Sequence, residues 1–174
     1  MDRKSRITAL AAFVIGAYLL DILSTYAATP DLSKERNPLV SSFGWGWSGV
    51  LLLSCIMLAI LLLMLRFHGR NEPKGSSVDM GLSSRLTWYI TGMAGERGRV
   101  NWRHYLAFLG MVLPLGNAVS GLCNAALNMG YRWGWIDGLT DHQYTSFQLA
   151  KLALIAVVVS LAVIRRCKAL DPEF

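Results

Sequence analysis

Residues 7–28 read ITALAAFVIGAYLLDILSTYAA. An unbroken apolar run, Ile7 to Leu20, leads into Asp21 and then Ile22-Leu23-Ser24-Thr25-Tyr26. At a rise of about 1.5 Å per residue, such a segment crosses a hydrocarbon core of about 30 Å as a helix. Three more stretches share this character, Trp47–Phe67, Tyr105–Met129 and Phe147–Ile164. Apolar residues make up 53% of the 174 and charged residues only 16%, which no ordinary soluble domain matches. The chain is therefore expected to be an all-α membrane protein. Its single domain, residues 1–174, holds four transmembrane helices at about 7–28, 47–67, 105–129 and 147–164, with a long inner loop at 68–104. The first segment also has the basic head of a signal peptide, and Thr25-Tyr26-Ala27 resembles a cleavage site. It is present in the molecule and is read as a membrane helix.

The net charge of +6 is unevenly distributed. With the N-terminus inside, the inner side collects Arg3, Lys4, Arg6, the basic residues from Arg66 to Arg103, and Arg165, Arg166 and Lys168. Only Lys34, Arg36, Arg132 and Lys151 of the 17 lysines and arginines fall elsewhere. That asymmetry predicts both termini in the cytoplasm of a multi-pass protein of a prokaryotic inner membrane. The basic excess thus reports topology, and nucleic acid is not an expected partner. The inner loop is expected to touch the lipid bilayer, and its Leu86–Ile90 cluster suits either an interfacial helix or a docking strip.

Asp21 is the residue that needs an explanation. A carboxylate in a membrane helix is costly unless paired, hydrated or protonated, so it marks a functional site by default. Tyr18, Asp21 and Thr25 share one helical face. Lys151 lies about two turns inside the start of the fourth helix, at a depth matching Asp21, so the two are expected to form an ion pair. Asn117, Asn124 and Gln148 lie near enough in depth to support it. Asn117, Ser120, Gly121, Asn124 and Asn128 form a polar, small-residue stripe beyond Pro114 in the third helix. Such a stripe suits helix packing and also suits the wall of a hydrated cavity. Pro114 frees a backbone carbonyl and either kinks the helix or opens space beside it.

Glu35, Asn37 and His142 in the outer loops could lie above this pair. Asp21, Glu35 and His142 are the candidate ligands should a metal bind, although no local ligand spacing joins them. On the inner side His68 and His104 agree in depth and are the candidates for a haem or pigment. No cofactor is assigned. Cys55, Cys123 and Cys167 have neither metal-like spacing nor a CxxC pair. Nucleophile elbow, P-loop, dinucleotide-binding and HExxH patterns are all missing from the sequence, so it names no reaction.

Asp21-x-x-Ser24-Thr25, followed by Glu35-x-Asn37-Pro38 and later by Lys151 on another helix, resembles a group of small prokaryotic membrane proteins of unknown function. In that group an Asp-x-x-x-Thr helix precedes a Glu-x-Asn-Pro turn. The resemblance covers the first forty or so residues and reaches the fourth helix through Lys151 alone, and the chain departs from the group in the long inner loop and in the amide-rich third helix. It implies where a site lies and implies no chemistry.

Two functions are expected on these grounds. The first is a non-catalytic accessory or structural subunit, with protein partners in a larger membrane complex of respiratory or photosynthetic type. The alternative is an outward-facing polar site that binds an ion, metal or small substrate for transport or catalysis.

Overall fold

The computed structural model describes residues 2–32, 40, 44–72, 81–92, 100–136 and 139–169. Among them the regular structure is entirely helical: α1 (Arg3–Ala28), α2 (Trp47–Asn71), α3 (Leu82–Thr91), α4 (Trp102–Arg132) and α5 (Asp141–Lys168). All but α3 are long and apolar enough to span a membrane.

The four long helices contain the expected apolar runs and extend past them, because their caps lie outside the apolar stretch. Asp2 caps α1, its carboxylate accepting from Ser5 N at 2.7 Å. That hydrogen bond holds the Asp2 carboxyl below its ordinary range. Asn101 caps α4, and Thr140 with Gln143 forms a reciprocal capping box on α5. Helix α2 ends where Glu72 precedes Pro73, since a residue before proline is driven to extended backbone.

Helix α4 is the axis of the bundle, with α1, α2, α3 and α5 all packed against it. Two glycines allow the closest approaches. A Cβ on Gly110 would stand 2.4 Å from Met64 O, and one on Gly121 would stand 3.3 Å from Ala17 O. Gly110 thus seats α2 and Gly121 seats α1, the use that membrane helices make of small residues. Between α1 and α4, Val14, Ala17 and Ala118 form one buried cluster. Pro114 is fully buried within an unbroken α4.

The second cluster joins Tyr89 of α3 to Met111, Val163 and Cys167. The aromatic strip 86–90 therefore folds onto the end of its own bundle: Tyr89 is only 1% exposed, and Leu86 and Trp88 pack beside it. The Tyr89 hydroxyl donates to Met111 Sδ at 3.6 Å. Gly92 ends α3 at φ +70°, where glycine is favoured and where a Cβ would press on Asn101 and His104.

Helix α5 is the least enclosed. Only Val163 and Cys167 near its end are buried, so it is anchored at the end of the bundle where α1 begins. Along its middle it leaves a cleft of about 420 Å³ against α4.

Candidate functional site

The residues expected to form one polar pocket are distributed among three places. On the α1–α4 interface, Asn128 Nδ2 donates to Thr25 Oγ1 at 2.9 Å and to Ser24 Oγ at 3.2 Å. Both hydroxyls in turn donate to the Asp21 carbonyl, at 2.8 Å from Thr25 and 2.9 Å from Ser24. This chain links Asn128 to the α1 backbone and uses the Thr25 face for packing.

Lys151 is half-buried, and its Nζ donates to Asn124 Oδ1 at 3.2 Å. The expected Asp21–Lys151 ion pair is not formed among the described residues. Depth was matched but direction was not. Asp21 is turned to α4 beside Gly121, and α1 and α5 share no substantial packing.

Asn117, exposed, lines the α4–α5 cleft with Gly116, Ser120, Leu152 and Ile155. Its amide has no hydrogen bond to the described residues. The polar stripe of α4 thus divides, with Gly121 and Asn128 facing α1 while Asn117 and Ser120 face the cleft. Gln148 is half-buried near Lys151 in sequence. His142 is exposed in the first turn of α5, where its carbonyl accepts from Ser146 Oγ. Glu35 and Asn37 lie outside the described residues. Among the described residues, no group of three or more His, Cys, Asp or Glu could hold a metal.

The strongest concentration of charge chemistry is at the opposite end of the bundle. Glu72, at the C-terminus of α2, has a side chain only 3% exposed. It accepts from Arg6 Nη2 at 3.2 Å and from Arg166 Nε in a very short contact. Arg3 Nε stands 3.6 Å from Oε2 and His68 Nε2 3.7 Å from Oε1. The four partners come from three helices. Arg3 and Arg6 are one turn apart on α1, His68 is one turn before Glu72 on α2, and Arg166 is on α5. His68 Nδ1 donates to Ala107 O at 2.9 Å, which orients the ring and ties α2 to α4. His104, in contrast, sets its ring edge-on to Trp88 with centroids 5.6 Å apart. The two histidines therefore serve different contacts.

A carboxylate this buried is tolerable only when paired and hydrogen-bonded, and here it is surrounded by guanidinium groups. Through it α1 and α5 become joined at one end. Sequence reasoning missed this cluster. Two signals were present: the His68–Glu72 spacing of one helical turn, and an acid followed by proline among arginines.

These features define a four-span helical membrane protein clasped at one end by a buried Glu–Arg cluster and opened along α4–α5 by a partly polar cleft. No family model, curated protein or solved structure matches the chain.

Proposed function

We propose that the protein is a non-catalytic accessory subunit of a larger complex in a prokaryotic inner membrane, and that the α4–α5 cleft receives a transmembrane helix of a partner subunit. Both termini lie on the cytoplasmic side in this reading, following the concentration of basic residues at the end where α1 begins and α5 finishes. The observation that carries it is the exposed Asn117 amide in a cleft at membrane depth. An amide facing hydrocarbon without a partner is costly, and a neighbouring helix supplies both the packing and the hydrogen bond. Ser120 beside it is small enough to allow close approach, while Gly116 already faces the Ile155 side chain of α5. The weak enclosure of α5 and of α2, which buries only Leu61, Leu65 and His68, supports the same reading.

The test places a photo-crosslinking residue at position 117 and irradiates native membranes before gentle solubilisation. A product with another membrane protein, co-migrating with it on a native gel in fixed ratio, is the expected result. Migration alone with no product would reject the subunit role, and a product with a second copy would replace it with self-association.

A further inference from the structure

We infer that Arg3 and Arg6, on the outer flank of the Glu72 cluster, form a binding site for a phosphate group, supplied either by a lipid headgroup or by free phosphate. The inference does not depend on the cleft or on a partner subunit.

Charge is the first ground. Three guanidinium groups, Arg3, Arg6 and Arg166, converge on one carboxylate, so among the described residues the cluster keeps a positive excess even with His68 neutral. Arg166 has the most sheltered of the three side chains and is bonded to Glu72. The excess therefore resides on α1. Asp2, the carboxylate next to the first turn of α1, caps Ser5 N and also acts electrostatically on Arg6, so it offsets part of that excess and Arg3 carries the remainder.

Donor supply is the second ground. A guanidinium carries five N–H donors in a fixed fork, whereas a carboxylate offers about four acceptor positions. Arg6 and Arg166 already bond the two Glu72 oxygens. Among the described residues, Arg3 Nη2 and Arg6 Nε are shielded with no hydrogen-bond acceptor, and Arg3 Nε has only Glu72 Oε2 at 3.6 Å, beyond hydrogen-bonding distance. Orphaned donors on two arginines one turn apart call for an acceptor with oxygens in several directions. A tetrahedral phosphate bridges two forks, while a planar carboxylate matches one.

Position is the third ground. Arg3 and Arg6 stand in the first two turns of a membrane-spanning helix, the level at which lipid phosphates lie. Their side chains are 37% and 32% exposed while the orphaned nitrogens themselves are shielded, so the side chains must turn outward for those donors to meet an anion. Arg3 approaches Glu72 without hydrogen-bonding it. It can turn to an oxyanion while Arg6 and Arg166 keep the carboxylate satisfied.

The test is native mass spectrometry of the full-length protein in mild detergent, offered equal amounts of phosphatidylglycerol and a diacylglycerol glycolipid that carries no phosphate. Arg3→Gln and Arg3→Lys are run beside it, with thermal melting as the check on folding. The wild type should retain one phosphatidylglycerol per chain with a preference of about tenfold, the effect of one added charge-assisted contact. Arg3→Gln should lose that preference with at most a small drop in melting temperature, since Arg3 contributes little to the Glu72 cluster, and Arg3→Lys should keep part of it. Inorganic phosphate in excess separates the sources. A bound lipid that resists it identifies the headgroup, whereas displacement together with phosphate binding by the lipid-free protein identifies the free anion. Equal retention of the two lipids by the wild type, with no phosphate binding, overturns the site without recourse to any variant. So does a folded Arg3→Gln that keeps the full preference.

Discussion

Changing Glu72 to Gln removes the carboxylate on which Arg3, Arg6, His68 and Arg166 converge, and it leaves the shape of the side chain nearly intact. The most sheltered pair is Glu72 with Arg166, whose side chains are 3% and 17% exposed. Removing one member of a buried pair costs about 3–5 kcal/mol, because the other charge remains without its counter-ion. Arg3 and Arg6 are about a third exposed and recover much of their solvation from water, so together they add no more than about 1 kcal/mol. An effect of opposite sign comes from the helix. Glu72 is the C-cap of α2, where a negative charge meets the negative end of the dipole, and neutralising it returns about 0.3–1 kcal/mol. The Arg166 term dominates, and Glu72→Gln should destabilise the bundle by about 3 kcal/mol.

Reversible unfolding in mixed detergent micelles, followed by tryptophan fluorescence, measures that loss. Because the penalty is attributed to the orphaned Arg166, Glu72→Gln combined with Arg166→Met should be more stable than Glu72→Gln alone. A Glu72→Gln protein within about 0.5 kcal/mol of wild type would refute the energetic role given to the cluster. Additive losses in the double variant would refute the attribution to Arg166.

Gly110→Ala should cost about 1–3 kcal/mol in the same unfolding assay, since its Cβ would stand 2.4 Å from the fixed carbonyl of Met64; Gly116→Ala meets only the Ile155 and Val159 side chains and should cost far less. Asn128→Ala removes the hydrogen bonds to Ser24 and Thr25 and should lower stability by about 0.6–1.7 kcal/mol, with Asn128→Asp no substitute when its carboxylate is ionised and cannot donate. Lys151→Met forfeits a hydrogen bond to Asn124 and no Glu or Asp partner among the described residues, so its cost in the unfolding assay should stay at or below about 1.5 kcal/mol. Burial, and then the negative charge of Glu72, raises the Tyr89 phenol above its ordinary value. The fold thus favours the neutral phenol, and its stability contribution is complete below about pH 10 and is lost as pH rises further; melting temperatures across that range should fall less steeply in Tyr89→Phe.

The spans were legible because lipid imposes a coarse rule: a crossing helix needs about twenty apolar residues, whatever it packs against. Their true ends were less visible, since Asp2, Asn101 and Thr140 act through cap geometry outside the apolar runs. The Thr140-x-x-Gln143 box was nevertheless written in the sequence in recognisable form. Depth could also be counted along a helix, which is why Asp21 and Lys151 matched. Azimuth could not, because it depends on which side of α4 each neighbour takes. Gly110 and Gly121 decide that, by setting the close approaches of α2 and α1, and neither glycine announces its partner. The same limitation divided the polar stripe. Its period was correct, yet Asn128 meets α1 while Asn117 faces the cleft.

Glu72 escaped notice for a different reason. The basic charge of Arg3, Arg6 and Arg166 already reads as a topology signal, and that signal masks their second role as partners of a carboxylate. Arginines gathered at one end of a bundle also repel one another, however, and a helix bundle that closes there needs a counter-charge among them. Glu72 can fill that position because the following proline ends α2 at the right residue and His68, held by Ala107, supports its flank. One carboxylate neutralises one charge and leaves α1 with cationic donors to spare. The asymmetry that orients such a chain in its membrane and the chemistry that would hold a phosphate at its surface are then properties of the same side chains. Arg3→Gln separates them, since it deletes an orphaned donor set while Arg6 and Arg166 keep Glu72 satisfied.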